Sequence, residues 1–226
     1  MKYKGIIFDF NGVLLWDTAW QREAWDKYAL IARGIPFTDH EFLEQVGRTN
    51  KSNLEFLYGK DLIKKEVDEL TQKKEAVYRK ICLKKGRQFK LSPGAKDLLN
   101  FLTARDIPHT IATSSEIINV RFFFKYLQLG KWFDFKRVVF DDGKLRGKPA
   151  PDIYQKAAGK LRLSPKDCLV VEDAKSGLLA AHKAKIGKII FFVHQRKFDK
   201  KKIPPFVKQT ITSLDQIRKE DFCPRG

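Results

Sequence analysis

The residues best suited to chemistry in this sequence begin with an acid near the N-terminus. Asp9 closes the apolar run Gly5-Ile6-Ile7-Phe8, and Gly12 permits a tight turn just beyond it. A carboxylate at a strand end, beside the backbone N–H groups of a turn, is placed to attack or to bind rather than to pack. Taken alone, the segment fits equally well an aspartate that bonds to its own turn.

Two adjacent acids close another apolar run. Glu172 and Asp173 follow Cys168-Leu169-Val170-Val171. Acids at the end of a buried strand are costly unless they are paired or bind a cation. Carboxylate oxygens are ligands that Mg²⁺ prefers. The pair therefore predicts a cation site, and a solvated strand end is the alternative.

A hydroxyl group and an ammonium group complete the set. Thr113 ends the run Ile111-Ala112-Thr113 and is followed by Ser114. Its hydroxyl suits a phosphoryl oxygen, and a helix beginning after it points its N-terminus at an anion, although a simple helix cap is the alternative. Lys148 lies beside Pro149 in a segment with a second proline. Prolines hold this backbone in a fixed path, so a stiff loop presents the ammonium.

The elements that must position these residues alternate along the chain. Short apolar runs predict strands over residues 5–10, 108–113, 137–140, 167–171 and 188–193, with a weaker one over 209–212. Most are apolar on both faces, as in a buried parallel sheet. Helical patterns cover residues 95–104, 117–127, 151–161 and 174–184, the first with Ser92 as N-cap and Pro93 at the first helical position. The order predicts an α/β fold with a Rossmann-like parallel sheet.

One segment breaks the alternation, because residues 16–86 show helices and no strand. The patterns predict helices over 18–33, from a Thr38–Glu41 capping box to 46, and over 50–58 and 64–85. A helical insertion after the first strand predicts a separate cap domain at 16–86. The core domain then consists of residues 1–15 and 87–226.

Composition limits the class of protein. The chain has 226 residues, 43% of them hydrophobic, which is ample for a packed core. No apolar run approaches the roughly 20 residues that span a bilayer, and the N-terminal apolar stretch is too short for a signal peptide. Its three cysteines show no metal or disulfide spacing. These features predict a reduced, cytoplasmic protein without a membrane role, as a monomer or weak dimer.

The net charge of +18 attracts anions such as phosphorylated metabolites, nucleic acid or acidic lipid. The basic residues are spread along the chain, which favours a solvated lysine-rich surface. The densest patch, residues 195–202, precedes two prolines and has the pattern of a loop. Without a zinc-finger or RNA-binding signature, nucleic-acid binding is disfavoured but stays an alternative, and it predicts duplex affinity that falls steeply with salt.

Four segments in this order resemble the haloacid dehalogenase-like phosphatases, over nearly the whole chain. The similarity is greatest to the β-phosphoglucomutase and phosphoglycolate phosphatase branch, whose helical cap follows the first strand. The segments are Phe8-Asp9-Phe10-Asn11-Gly12-Val13, Ile111-Ala112-Thr113, Lys148-Pro149-Ala150-Pro151-Asp152-Ile153-Tyr154, and Val171-Glu172-Asp173 with Gly177.

The resemblance implies a Mg²⁺-dependent phosphatase of a small phosphorylated metabolite. Asp9 would be the nucleophile that forms an aspartyl-phosphate. Mg²⁺ would be held by Asp9, the backbone carbonyl of Asn11, and Asp173, with Glu172 supporting through water. Such an arrangement positions the reactants in line and neutralises the spread negative charge of the transferring group.

The resemblance also implies the residues that bind substrate. Thr113, with Ser114 beside it, and Lys148 would bind the transferring phosphoryl group. The segment Gly47-Arg48-Thr49-Asn50-Lys51 resembles the cap loop that faces the core. Arg48 or Lys51 would then bind a distal phosphate or carboxylate. Helix capping by the loop, with solvated basic neighbours, is the alternative.

Asn11 departs from the family pattern, which places an aspartate there as general acid and base. An amide cannot exchange that proton, and general acid–base catalysis contributes roughly 10²–10⁴-fold. Four interpretations follow. The enzyme is slow or suited to substrates with good leaving groups, or a group from the cap replaces the missing acid. Otherwise the chain is an engineered inactive variant, or it binds phosphorylated ligands without turnover. His40 and Glu23 are conceivable cap substitutes, although packing or solvated roles are favoured for both.

Two further activities are weighed against phosphatase chemistry. Phosphomutase activity is disfavoured because Gln21 stands four residues before Trp25, where the β-phosphoglucomutase branch tends to have histidine. Dehalogenases also use an aspartate nucleophile without the second aspartate. The Lys148 loop and the Glu172–Asp173 pair resemble the phosphatase branch more closely.

Overall fold

A six-stranded, fully parallel sheet forms the centre of the protein in the computed structural model, which describes residues 2–194 and 203–223. The strand order is β3-β2-β1-β4-β5-β6. The strands are β1 (Gly5–Phe8), β2 (His109–Glu116), β3 (Val139–Asp141), β4 (Cys168–Glu172), β5 (Lys188–Phe192) and β6 (Gln209–Ile211). This architecture confirms the predicted α/β fold with a Rossmann-like sheet.

Helices cover both faces of the sheet because the central strands are apolar on both sides. In β1, Ile6 and Phe8 pack into one apolar cluster and Ile7 into another, and all three are fully buried. The first cluster includes residues of α5 (Ala95–Ala104) and α6 (Ile117–Tyr126). The second includes residues of α7 (Asp152–Lys160) and α8 (Lys175–Lys183).

Four helices lie between β1 and α5. They are α1 (Thr18–Arg33), α2 (Asp39–Gln45), α3 (Asn50–Tyr58) and α4 (Lys64–Lys84). The predicted capping box opens α2, because the Thr38 hydroxyl accepts from the Glu41 N–H and Glu41 accepts from the Thr38 N–H. Trp25, Phe37 and Leu54 belong to a separate apolar cluster of this segment.

Two local predictions are wrong at element ends. Strand β2 continues three residues beyond Thr113 to Glu116, with an irregular register against β3. Helix α5 begins after Gly94, which has φ +76, rather than at Ser92 and Pro93. Ser92 instead donates its hydroxyl hydrogen bond to the backbone carbonyl of Val13, which ties the two chain segments together. The basic patch at 195–202 lies outside the described residues.

The sheet topology fixes where a site forms. Strand β1 is central: β2 and β3 lie on one side of it, and β4, β5 and β6 lie on the other, so the strand order reverses direction at β1. In open parallel sheets, ligands bind beyond the carboxyl ends of the strands at such a switch point. Asp9, Thr113 and Glu172 all lie at this edge. Within the described residues, every helix is too short or too polar to cross a bilayer.

Candidate active site

Three acids converge at the carboxyl edge of the sheet. Asp9, Glu172 and Asp173 offer carboxylate oxygens within 4.8 Å of one another. Asp9 is 6% exposed and Glu172 is fully buried. Burial raises the pKa of Asp9 well above its usual value, and it also raises the pKa of Asp173; the charge of Glu172 adds to both. The cluster therefore has too much negative charge for its burial unless cations balance it.

Lys148 supplies one such cation from a position almost fully out of solvent. Its ammonium is 2.7 Å from Asp9 Oδ1 and also contacts Glu172 Oε1. Burial would lower the pKa of Lys148, but the charges of Asp9 and Glu172 outweigh this and raise it. The ammonium therefore stays charged and forms ion pairs with both acids, one at the end of β1 and one at the end of β4.

Glu172 is held from both sides of its carboxylate. Its Oε1 accepts from Lys148 and from the Tyr154 hydroxyl, while Oε2 accepts from the backbone N–H groups of Asp173 (3.1 Å) and Ala174 (3.3 Å). A Cβ added at Gly177 would lie 1.8 Å from Glu172 Oε1. Glycine at that position is therefore required to admit the carboxylate.

Asp173 approaches the turn that follows β1. A Cβ at Gly12, which has φ +82, would lie 1.9 Å from Asp173 Oδ2. On its other side, His194 Nε2 lies 3.5 Å from the same oxygen. The turn and the acid are thus packed together in a way that only glycine permits.

The donor set fits a hard divalent cation. Lys148 pairs with Asp9 and Glu172 but not with Asp173, so three clustered carboxylates have one ammonium among them. Burial already opposes the ionised form of Asp9. Hard oxygen ligands and uncompensated negative charge are what Mg²⁺ selects. Glu172 is already committed to Lys148, Tyr154 and the backbone, so Asp9 and Asp173 have more freedom to bind a metal directly.

Asn11 is fixed by a network that sequence reasoning missed. Its Nδ2 donates to Asp17 Oδ2 (2.7 Å) and to the Tyr78 hydroxyl (3.2 Å), and its Oδ1 accepts from Ser115 Oγ (2.7 Å). Asp17 is fully buried, and burial raises its pKa, although hydrogen bonds from Tyr78 and Asn11 oppose that effect. Asp17 also accepts from the Gly12 N–H at 2.9 Å. Its carboxylate therefore holds the loop that carries Asn11 in place through these hydrogen bonds.

The two hydroxyl residues of β2 differ in their surroundings. Thr113 is 2% exposed, lines the cavity above the acids, and accepts from the Ser115 N–H at 3.1 Å. Ser114 also lines the cavity, but its hydroxyl donates to the carbonyl of Gly47 at 2.9 Å. Thr113 is thus the better placed of the two for a phosphoryl oxygen, while Ser114 holds the helical segment.

The loop between α2 and α3 is docked on the core. In addition to the Ser114 contact, the Ser176 hydroxyl donates to the Val46 carbonyl at 3.0 Å, and Lys175 pairs with Glu44 at 2.9 Å. Arg48 lines the cavity, and its Nε donates to the Glu44 carbonyl at 2.8 Å. The loop closes over the acids and brings Arg48 to the cavity wall.

Neither conceivable cap acid lines this cavity. His40 is exposed, and Glu23 pairs with Lys27 at 2.9 Å and with Lys85 at 3.5 Å. The described residues of the cavity wall instead include Asp17, Gln21 and Glu75 as polar groups from or next to the helical segment. Both side chains therefore lie away from the cavity, which agrees with the packing or solvated roles that the sequence favours for them.

Comparison with known proteins gives the family. The sequence model of the haloacid dehalogenase-like hydrolases matches residues 3–185. A phosphorylated carbohydrates phosphatase from Thermotoga maritima is 30% identical over 195 residues, which cover 84% of this chain and 86% of that protein. A β-phosphoglucomutase from Bacillus subtilis is 32% identical over 187 residues, covering 80% of each chain.

The solved structures agree. A HAD hydrolase of family IA, variant 3, from Entamoeba histolytica has a TM-score of 0.85 and 34% identity, covering 98% of this chain and 97% of that one. The chain therefore belongs to the haloacid dehalogenase-like hydrolases, as its four segments predicted, and it is an enzyme of that family.

Proposed function

We propose that this protein is a Mg²⁺-dependent phosphatase of a small phosphorylated metabolite. The observation that carries the proposal is the buried cluster of Asp9, Glu172 and Asp173 with Lys148 between two of its acids. Catalysis of phosphoryl transfer depends mainly on positioning the reactants and neutralising their negative charge. This cluster offers a carboxylate for attack, an ammonium for charge, and oxygen ligands for a cation.

The names of the relatives support the same class of reaction. Besides the phosphorylated carbohydrates phosphatase, a probable pseudouridine-5′-phosphatase from Drosophila melanogaster is 34% identical over 141 residues, covering 60% of this chain and 59% of that protein. Hexitol phosphatase A from Escherichia coli is 29% identical over 189 residues. These proteins differ in substrate but share hydrolysis of a phosphate ester.

In the proposed reaction, a carboxylate oxygen of Asp9 bonds to phosphorus as the bond to the leaving oxygen breaks. Water then attacks the phosphorus and breaks its bond to Asp9, so phosphate departs and the carboxylate of Asp9 is restored. The proton that the water loses passes to solvent and balances the proton that the leaving oxygen takes up from solvent. Lys148 Nζ, 2.7 Å from Asp9 Oδ1, stabilises negative charge at the point of attack, and Thr113 offers a hydroxyl to a phosphoryl oxygen.

The cation and the missing acid complete the account. Asp9, Asp173 and the Asn11 backbone carbonyl would hold Mg²⁺, which neutralises charge between the anionic nucleophile and the anionic ester. Asn11 Nδ2 donates to Asp17 and Tyr78 and has no acidic proton to give to the leaving oxygen. We therefore infer slow turnover on esters whose leaving group needs a proton.

We also propose that residues 16–86 act as a cap over a core of residues 1–15 and 87–226. The contacts of Gly47 and Val46 with Ser114 and Ser176 join the two parts beside the acids. A closed cap excludes water and selects substrate by the residues that it adds to the cavity.

The purified protein is expected to hydrolyse p-nitrophenyl phosphate in Mg²⁺ and to lose this activity in EDTA. Asp9→Asn is expected to abolish hydrolysis because the amide is a poor nucleophile. Asp215→Asn is the matched control, since Asp215 is exposed and does not line the cavity. Activity that persists in EDTA would overturn the metal assignment, and activity that survives Asp9→Asn would overturn the nucleophile.

A second candidate function is binding of phosphorylated ligands without turnover, favoured by the amide at Asn11. It predicts that sugar phosphates raise the melting temperature while single-turnover assays release no phosphate. Release of phosphate in one turnover would exclude it.

A further inference from the structure

The peptide group between Asn11 and Gly12 is fixed on one side by a buried acid. The Gly12 N–H donates to Asp17 Oδ1 at 2.9 Å and to the Leu15 carbonyl at 2.8 Å. Asp17 is fully buried. Because a trans peptide is planar, its C=O and its N–H point in opposite directions. The carboxylate of Asp17 therefore sets the direction of the Asn11 carbonyl, which points away from it.

The same turn contacts the acid cluster through Asp173. A Cβ at Gly12 would lie 1.9 Å from Asp173 Oδ2, so the backbone of the turn packs directly against this carboxylate. Among the described residues, none donates a hydrogen bond to the Asn11 carbonyl. A backbone carbonyl oxygen is a hard ligand of the kind that divalent cations such as Ca²⁺ and Mg²⁺ take. This carbonyl is therefore available to a cation beside Asp173.

Asp17 is itself held by a tyrosine of the helical segment. The Tyr78 hydroxyl, in α4, donates to Asp17 Oδ2, and Asn11 Nδ2 donates to the same oxygen at 2.7 Å. Tyr78 is fully buried. Gln21 of α1 adds a longer contact of 3.4 Å to this oxygen. One oxygen of Asp17 thus holds the turn, while the other is held by Asn11 and by two helices of residues 16–86.

We propose that Asp17 and Tyr78 are positioning residues for the cation. Asp17 turns the Asn11 carbonyl toward the acid cluster, and Tyr78 keeps Asp17 in place. This inference rests on the proposed Mg²⁺-dependent function, and neither side chain is itself a metal ligand. Loss of a hydrogen-bonding partner behind a metal ligand typically costs about 10–100-fold in metal affinity or activity. A residue of the helical segment therefore contributes to Mg²⁺ affinity before any substrate binds.

A purely structural role is the competing explanation for the same contacts. Buried polar groups are paired in nearly all proteins, and loss of one partner destabilises the fold. In that case Tyr78→Phe would lower the melting temperature and leave Mg²⁺ affinity unchanged. The two explanations are therefore separated by the affinity for the metal alone, measured without turnover.

The peptide in question can be observed by itself, because Asn11-Gly12 is the only Asn-Gly pair in the sequence. Protein labelled with carbonyl-¹³C asparagine and ¹⁵N glycine gives a single cross-peak in a spectrum that correlates each amide with the preceding carbonyl. Mg²⁺ is expected to shift this peak saturably in the parent, which yields the dissociation constant. A peak that stays in place on addition of Mg²⁺ would overturn the inference.

Tyr78→Phe is the deciding variant, because it removes a hydroxyl and no charge. It is expected to move the peak in the absence of Mg²⁺ and to raise the dissociation constant about threefold or more. Asp17→Asn is expected to raise it about tenfold or more. Tyr28→Phe is the matched control, since Tyr28 is a buried tyrosine of α1 that does not line the cavity. It is expected to keep the parental peak and affinity.

A parental dissociation constant in folded Tyr78→Phe would overturn the inference whatever Asp17→Asn shows, since the lost charge of Asp17 weakens cation binding by itself. Equal weakening in Tyr28→Phe would overturn it as well. If circular dichroism shows that Tyr78→Phe does not fold, Asp17→Glu replaces it, because this change keeps the charge and moves the carboxylate off Gly12. Unchanged affinity in Asp17→Glu would again overturn the inference.

Failure of the proposed function gives a different result. If the peak does not respond to Mg²⁺ and hydrolysis also persists in EDTA, the metal assignment fails and the inference fails with it. If the peak does not respond while hydrolysis is lost in EDTA, only the inference fails.

Discussion

The side-chain amide of Asn11 donates to Asp17 Oδ2 across 2.7 Å, so this side chain is hydrogen-bonded to a fully buried carboxylate. The same carboxylate accepts from the Tyr78 hydroxyl and from the Gly12 N–H. Burial raises the pKa of Asp17, and the hydrogen bonds from Tyr78, Asn11 and Gly12 oppose that effect. The Asn11 amide therefore has hydrogen-bond partners for its side chain in this loop.

Asn11→Asp is expected to raise turnover by at least tenfold, with a larger gain for an alkyl phosphate than for p-nitrophenyl phosphate. The new carboxylate would lie within hydrogen-bond distance of Asp17, and two such acids retain one proton between them. That proton suits an alkoxide leaving group, for which general acid catalysis contributes roughly 10²–10⁴-fold.

Measurement of kcat for both esters at fixed Mg²⁺ checks this prediction, and Asn11→Ser is the control that removes the amide without adding an acid. Equal gains on the two esters, or none, would show that another group already transfers the proton.

Gly177→Ala is expected to reduce hydrolysis at least tenfold, because its Cβ would lie 1.8 Å from Glu172 Oε1 and force that carboxylate away from Lys148 and Tyr154. The control is Gly159→Ala in α7, where a Cβ meets nothing within 4 Å. That change is expected to stabilise the protein by about 0.5–1 kcal/mol. Initial rates and urea unfolding of both variants test the pair; similar behaviour of the two would contradict the steric argument.

Lys74→Met is expected to destabilise the protein by about 3–5 kcal/mol, because it leaves Glu75 charged and buried without its ammonium. The double variant Lys74→Met/Glu75→Gln should lose less than the sum of the single variants, since both charges are then absent. Urea unfolding of the four proteins measures the coupling. Additive losses would mean that the two residues act independently.

The pH dependence of stability should contain a contribution from Glu41. The hydrogen bond from Arg33, aided by the Thr38 N–H, lowers the pKa of Glu41 to about 2. A carboxyl whose pKa is lower in the folded than in the unfolded state stabilises the fold above its unfolded pKa of about 4.3. This stabilisation is lost as the pH falls from there toward about 2.

Glu41→Gln removes the titrating group and keeps a side chain that can complete the capping box. Between pH 5 and pH 2 the free energy of unfolding is thus expected to fall less steeply in Glu41→Gln than in the parent. Urea midpoints measured across this range provide the test, and parallel curves would contradict it.

Much of the site was predictable because it depends on strand ends. Asp9, Thr113 and Glu172 each close an apolar run, and parallel strands bring their carboxyl ends to one edge. Lys148 was predictable from its proline-bounded loop, though its contact with both Asp9 and Glu172 was not. The helical insertion was visible as an interruption of the strand–helix alternation.

The missed residues share a different property. Tyr78 and Tyr154 reach Asp17 and Glu172 from helices, across 61 and 18 residues of chain. A tyrosine on a buried helix face gives the same sequence pattern whether its hydroxyl donates to a carboxylate or its ring only packs in the core. Ser115 was missed because β2 extends past its expected end, which turns that side chain toward Asn11.

The docking of the α2–α3 loop has a consequence for how such a protein changes over evolutionary time. The hydroxyl groups of Ser114 and Ser176 donate to the main-chain carbonyls of Gly47 and Val46, and every residue type has such a carbonyl. Substitution of Val46 or Arg48 therefore leaves both hydrogen bonds in place, whereas a Cβ at Gly47, which has φ +79, would lie 2.8 Å from Ser176 Oγ. Side chains of the cavity wall such as Arg48 can therefore change over evolutionary time while the loop keeps its position on the core.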